Sequence, residues 1–364
     1  MELGGSVTIT DVARHAGVTK GTVSRVLNNY TDISQGTRSK ILKSVQELGY
    51  VPSATARNLK RGRQDTLGIV LPIGKSAGVD PFLAEFVDGI ARELDGSDKD
   101  LLITTAHSET HMVETLERLI ARRKVDGFIL TRTHVDDKRV RFLLDRKFPF
   151  VLHGRTDVPG SYAWYDIEND ETFSLGVKHL NELGHEAIGF VGGPRELYFA
   201  FQRKSGYRKA MRELGQDSQQ WLVVDQPMTE SGGYAAAEEL LKRATPPTAI
   251  LCSTDALAIG AMRCCKDLGL AVGEDVSVVG YDGLPVGGYT DPPLTTYSQC
   301  AHAAGGKVAN MLIKVIEGAN PADLQFVEPA SLVRRASDGP RKKSSAQIAE
   351  IVRQTQTGNN HELK

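Results

Sequence analysis

From residue 66 onward, strand-sized apolar runs alternate with helical patterns, and this alternation limits the fold more than any other feature. The apolar runs 67–71, 101–104, 125–130 and 150–152 are interleaved with helical periodicity at 81–94, 111–121 and 137–146. A second series starts with a helix at 169–183. It continues with runs at 187–191, 222–224, 249–252 and 276–281, separated by helices at about 199–214, 233–243 and 256–268. Strand–helix alternation of this kind builds parallel sheets covered on both faces. Two series predict two similar doubly wound subdomains with a cleft between them, where ligands sit at the carboxyl ends of the strands.

The first fifty residues follow a different pattern. Thr8-Ile9-Thr10-Asp11 can form a capping box, after which Ile9, Val12, Ala13 and Ala16 share one helical face and Gly17 ends the helix. Thr19 is a suitable N-cap for a second helix reaching about Asn28, with Val23, Val26 and Leu27 inward. Ser34 starts a third helix, with Ile41, Leu42, Val45 and Leu48 as its stripe and Gly49 as its stop. Two short helices joined by a Gly-containing turn make a helix-turn-helix. Burying Val23, Val26 and Leu27 leaves Lys20, Gly21, Thr22, Ser24, Arg25 and Asn28 outward. Arginine suits guanine and asparagine suits adenine, while Ser, Thr and helix N-terminal amides suit phosphate. Charge agrees with this reading. Residues 1–65 carry ten Lys/Arg against five acids, so a +5 head sits on a −6 body in a chain of net charge −1.

The stretch 8–28, above all Thr22-Val23-Ser24-Arg25-Val26-Leu27-Asn28, resembles the DNA-binding headpiece of the lac repressor (LacI/GalR) family. The following Gly49-Tyr50-Val51-Pro52-Ser53-Ala54-Thr55-Ala56-Arg57-Asn58-Leu59 resembles the family's hinge helix. The resemblance continues through Gly184-His185, Gly193-Pro194, Arg203-x-x-Gly206-Tyr207 and Thr254-Asp255-x-x-Ala258-x-Gly260. It ends with Val278-Val279-Gly280-Tyr281-Asp282 and Pro292-Pro293-Leu294-Thr295-Thr296. It implies an all-α headpiece (1–50), a hinge (51–65) and a periplasmic-binding-protein-like core (66–337). The core divides into an N-subdomain, 66–167 with 299–325, and a C-subdomain, 168–298 with 326–337. The polar segment 338–364 reads as a disordered tail.

The resemblance implies operator DNA as partner, contacted by Thr8, Thr19, Lys20, Gly21, Thr22, Ser24, Arg25, Asn28, Tyr50, Ala56, Asn58 and Leu59. Leu59 would wedge into the minor groove and kink the duplex; the alternative is an ordinary linker residue. It also implies a small effector, commonly a sugar, held by Asp80, Phe82, His153, Arg203, Thr254 and Asp282. An Arg–Asp pair such as Arg203 and Asp282 suits vicinal hydroxyls, although a salt bridge across the cleft would also account for it. His153 stands where many relatives carry Asp, and Thr254 where they often carry Asn. With no C-terminal leucine heptad, a homodimer is expected, acting as a sugar-released repressor; a corepressor or non-sugar effector is the alternative.

Other classes fit less well. No apolar run approaches the roughly 20 residues of a membrane helix, and the N-terminus lacks a basic and apolar leader. A cytoplasmic, nucleoid-associated protein is therefore expected, not an exported sugar-binding transport protein. Cys252, Cys264, Cys265 and Cys300 form no C-x-x-C or zinc spacing and read as small buried hydrophobes. No nucleophile elbow, phosphate loop or metal motif suggests an enzyme, and no cofactor is expected.

Overall fold

The computed structural model describes residues 7–50, 63–72, 81–216 and 222–362. They form two compact units divided after Asp65.

The first unit contains α1 (Ile9–Ala16), α2 (Lys20–Leu27) and α3 (Gln35–Leu48). Local chemistry sets their ends. The Asp11 carboxylate accepts the Thr8 amide at 2.9 Å and the Thr8 hydroxyl at 2.6 Å. The hydroxyls of Thr19 and Ser34 accept the amides of Thr22 and Thr37. Gly17 and Gly49 close α1 and α3 at φ 62° and 60°, where a side chain would be strained. Val12, Ala13, Ala16, Val23, Val26, Ile41 and Tyr50 make the small core. One expectation is corrected here. Leu42 faces solvent, and Ser44 takes the inner position, its hydroxyl 3.1 Å from His15 Nδ1. Tyr50, named as a DNA contact, is buried in this core.

The second unit carries two six-stranded sheets. The first runs β11-β5-β4-β3-β1-β2 and is wholly parallel: β1 (Thr66–Pro72), β2 (Asp100–Ala106), β3 (Gly127–Leu130), β4 (Phe150–His153), β5 (Ala163–Ile167) and β11 (Gln325–Glu328). Around it lie α4 (Pro81–Leu94), α5 (Glu109–Ala121), α6 (Lys138–Asp145) and α11 (Ala301–Ile316). The second sheet runs β12-β10-β9-β8-β6-β7: β6 (Ile188–Gly192), β7 (Val223–Asp225), β8 (Ala249–Cys252), β9 (Ser277–Asp282), β10 (Thr295–Ser298) and β12 (Ser331–Val333). Only β12 is antiparallel, pairing with β10. Its helices are α7 (Asn169–Glu182), α8 (Tyr198–Glu213), α9 (Glu230–Leu241) and α10 (Asp255–Asp267).

The chain crosses between the sheets three times: from β5 to α7, from β10 to α11 and from β11 to β12. All three crossings leave from the same end of each sheet. The expected division at residue 325 shifts slightly, because β11 extends the first sheet as far as Glu328. The strands β5, β10, β11 and β12 were not anticipated. They are only three to five residues long, and each is placed by pairing with strands distant in sequence.

The tail expectation is also corrected. A helix, α12 (Ser345–Glu362), docks on the second subdomain, with Ile348, Ala349 and Val352 buried and Ile348 and Val352 packed in the cluster that holds Leu268 and Leu270. Its approach is pinned. The Asp338 carboxylate lies 2.6 Å from His179 Nε2, and the Gly339 carbonyl accepts from His185 Nε2 at 3.0 Å. The spacing of Ile348 and Val352 is helical, but too few apolar residues surround it for composition to reveal the helix. Cys252, Cys264 and Cys265 are buried as expected, whereas Cys300 is exposed. Among the described residues, no helix is long and apolar enough to cross a membrane. Nor, among those residues, does any group of three or more His, Cys, Asp or Glu stand ready to hold a metal ion.

Candidate DNA-binding face and effector cleft

In the first unit, burial of Val23 and Val26 turns Lys20, Gly21, Arg25 and Asn28 to the exposed side of α2, with Thr22 and Ser24 half-buried. The face is partly pre-ordered. The Arg25 guanidinium pairs with Asp32 and lies 5.4 Å from the Tyr30 ring centroid. The Asn28 amide donates back to the Ser24 carbonyl at 2.6 Å, so this nitrogen caps its own helix. Thr19 and Thr22 share a hydroxyl contact of 2.9 Å beside the helix N-terminus, and Thr8 lies exposed at the start of α1. Ala56, Asn58 and Leu59 lie outside the described residues.

In the second unit, the carboxyl ends of both sheets line a cleft. Five residues expected to hold an effector converge on it: Phe82, His153, Arg203, Thr254 and Asp282. The sixth, Asp80, lies outside the described residues. Arg203 projects from α8, which packs closely on α7 because position 206 is glycine. A Cβ there would lie 1.9 Å from the Asp170 carbonyl oxygen. Arg203 Nε donates to Asn169 Oδ1 at 2.8 Å and Nη1 to the Ser253 carbonyl at 2.6 Å. The guanidinium lies 3.8 Å from the Tyr281 ring centroid and 4.5 Å from that of Phe199. Asn169 Nδ2 reaches Asp166 Oδ1 at 3.2 Å, and Asp166 Oδ2 accepts Arg155 Nε at 2.6 Å. This relay, Arg155–Asp166–Asn169–Arg203, runs from one subdomain into the other. Burial raises the Asp166 pKa, opposed by Arg155.

Asp282 ends β9 at φ 127°, a conformation that strains any residue with a Cβ, and accepts Gln299 Nε2 at 2.6 Å. Asp255, buried at the start of α10, fixes this corner. Its carboxylate accepts the Leu284 amide at 2.7 Å and the Thr296 hydroxyl at 2.5 Å. Thr254 caps α10 by accepting the Leu257 amide at 3.3 Å, so its hydroxyl has a structural task as well as a place in the cleft wall. His153 lies among Phe86, Phe82 and Tyr165, with ring centroids at 4.8, 5.5 and 6.1 Å. Burial, assisted by the Arg203 charge, pushes its pKa down to about 4, so the ring is neutral near pH 7. Among the described residues its Nε2 has no hydrogen-bond partner. A buried polar atom without a partner is costly, and a ligand that supplies one recovers that cost.

Sequence reasoning missed Thr131, Asp166, Asn169, Phe199 and Gln299 in the cleft wall. Asn169 and Gln299 sit at two of the chain crossings, a position that the pattern of apolar runs does not mark. Trp164 and Tyr165 are not in the wall. Tyr165 backs His153 and donates to Glu328 Oε2 at 2.9 Å.

Residues 8–53 match the family model described as bacterial regulatory proteins, lacI family, and residues 177–337 match the periplasmic binding protein-like domain. The chain is 34% identical over 341 residues to the HTH-type transcriptional regulator AglR of Rhizobium meliloti (strain 1021), covering 92% of this chain and 95% of that protein. The chain belongs to the lacI family of bacterial regulatory proteins. As a lacI-family member it is a DNA-binding transcriptional regulator. Its fold matches the lac repressor dimer bound to operator and the anti-inducer ONPF at a TM-score of 0.80 and 26% identity, covering 92% of this chain and all of that one. It also matches the complex of the transcriptional regulator CelR with cellobiose at a TM-score of 0.70 and 32% identity, covering 91% and 99% of the two chains.

Proposed function

We propose that this lacI-family regulator is a repressor released from a palindromic operator by a small neutral saccharide bound in the cleft. The observation that carries this reading is the uncharged His153, whose Nε2 has no hydrogen-bond partner among the described residues, set in the same wall as Arg203 and Asp282. Among the described residues the wall carries two guanidinium groups, Arg132 and Arg203, and two carboxylates, Asp166 and Asp282. With His153 neutral these balance, which favours a ligand without net charge. Phe82 and Phe199 supply the apolar surface on which a sugar face can rest. The similar CelR structure, a complex with cellobiose, supports a saccharide.

Two subunits pair through their cores and set two headpieces one helical turn apart on the operator. Base readout falls mainly to Lys20 and Arg25, since Gly21 lacks a side chain, with Leu59 as the minor-groove wedge. Ligand favours one of two core arrangements, and a differential affinity worth about 1–3 kcal/mol is enough to loosen operator binding. The test is fluorescence anisotropy on DNA upstream of the protein's own gene, with and without a panel of mono- and disaccharides. A saccharide that weakens binding at one palindrome supports induction. A saccharide that strengthens it reverses the sign, and binding that no saccharide alters overturns the saccharide reading.

A further inference from the structure

The two subdomains meet at a second place besides the three crossings. Residues 133–135, after β3, pair with residues 196–198, before and at the start of α8. His134 and Leu197 form an antiparallel bridge. The Val135 amide donates to the Glu196 carbonyl and the Tyr198 amide to the Thr133 carbonyl, both at 2.9 Å. The side that follows β3 is held firmly. Arg139, buried with Asp137, donates to the carbonyls of Thr131 at 3.1 Å and Arg132 at 3.2 Å, and Asp137 Oδ2 accepts the His134 amide at 3.0 Å. The Thr133 hydroxyl donates to the Arg155 carbonyl at 2.6 Å.

The bridge lies far from the three crossings, about which the two subdomains hinge. In the first sheet β3 is two strands from β5, and in the second β6 is three strands from β10. At about 4.8 Å per strand, the gap is roughly 10 Å on one side and 14 Å on the other. The cleft residues His153, Thr254 and Asp282 come from β4, the end of β8 and β9, between the crossing strands and the bridge, and Asp166 comes from the crossing strand β5 itself. Both sides of the bridge also run directly into the wall, through Thr131 and Arg132 on one side and Phe199 and Arg203 on the other.

We infer that residues 133–135 and 196–198 form a latch that closes the cleft opposite the hinge, so a ligand enters only when the latch opens and must fit between the two. The effector is then a saccharide of one or two rings, fully enclosed, and not the end of a long chain. This rests on the cleft being the effector site. The test reads access to the cleft without any effector, so the failure of either reading is separable from that of the other.

Ala256 lines the cleft and is half-buried. In a Cys300→Ser background, Ala256→Cys places a reporter thiol there, and its rate of labelling by N-ethylmaleimide measures opening. Tyr198→Pro removes one latch donor at the first position of α8, where proline is tolerated, and speeds labelling about fivefold. His134→Cys with Leu197→Cys is the opposite perturbation. The pair is of the non-hydrogen-bonded antiparallel type, with Cα atoms about 4.5 Å apart, within the range a disulfide spans. Oxidation slows labelling more than tenfold and reduction restores it. Fluorescein maleimide, being larger, responds more strongly to both changes. Labelling that stays within twofold across latched, wild-type and opened forms overturns the latch. Equal responses from the two maleimides overturn the size limit.

Discussion

His153→Phe separates the cost of the effector site from its use. The imidazole is buried among Phe82, Phe86 and Tyr165, and its pKa is pushed down to about 4 by burial and then by the Arg203 charge. The ordinary value is 6.5, so the unfolded chain takes up a proton that the folded core refuses. Above pH 6.5 the stability contribution is complete. As pH falls from 6.5 towards 4 it is lost, at about 1.4 kcal/mol per unit, or roughly 3 kcal/mol in all. Between pH 7 and 5 the loss is about 2 kcal/mol, which for a core of this size lowers Tm by about 4 °C. Phenylalanine titrates nothing and leaves no polar atom without a partner, which is worth about 1 kcal/mol more at pH 7. The variant therefore melts about 2 °C above wild type at pH 7 and about 6 °C above it at pH 5, while its saccharide response falls at least tenfold. Differential scanning calorimetry across this range tests the claim. His185, whose pKa burial also lowers, titrates in both proteins and cancels in the comparison. Parallel Tm–pH curves for the two proteins would refute the reasoning.

Other substitutions give equally direct readings. Arg25→Ala removes about 1–3 kcal/mol of discrimination at one base step and leaves ligand binding intact; anisotropy on operator and scrambled DNA checks it, and unchanged preference rejects the readout. Gly206→Ala forces α8 off α7, because its Cβ would meet the Asp170 carbonyl at 1.9 Å; it costs about 1–3 kcal/mol in a thermal melt and moves Arg203 from Asn169, so operator binding survives and the ligand response fades. A ligand response within twofold of wild type would show that Arg203 does not depend on this packing. Ile348→Ala costs about 2–4 kcal/mol in urea unfolding; no change would mean that α12 is not docked in solution.

The strand–helix alternation was legible because β1 to β4 and β6 to β9 are apolar wherever both sheet faces are covered. The headpiece was legible for another reason: Thr8, Thr19 and Ser34 cap helices by hydrogen bonds within three residues, which a local sequence records. Leu42 faces solvent because α3 turns its inner face towards Ser44, whose hydroxyl meets His15 on another helix, a contact that no local pattern records. The hinge strands carry residues such as Thr295, Thr296 and Asp166, buried by partners far along the chain, so no local pattern marks them. The same limit applies to the site. Arg203 and Asp282 stand in recognisable motifs, whereas Asn169 and Gln299 gain meaning only from the side chains they hold in space.

The interleaved path of the chain bears on its synthesis. The headpiece helices pack among residues 9–50 and can assemble soon after they leave the ribosome. Neither sheet of the core is complete until much later. The first waits for α11 and β11, the second for β12, and α12 comes last of all. A nascent chain halted before residue 301 would therefore release a finished headpiece on an unfinished sensor, so only full-length translation joins DNA recognition to its control.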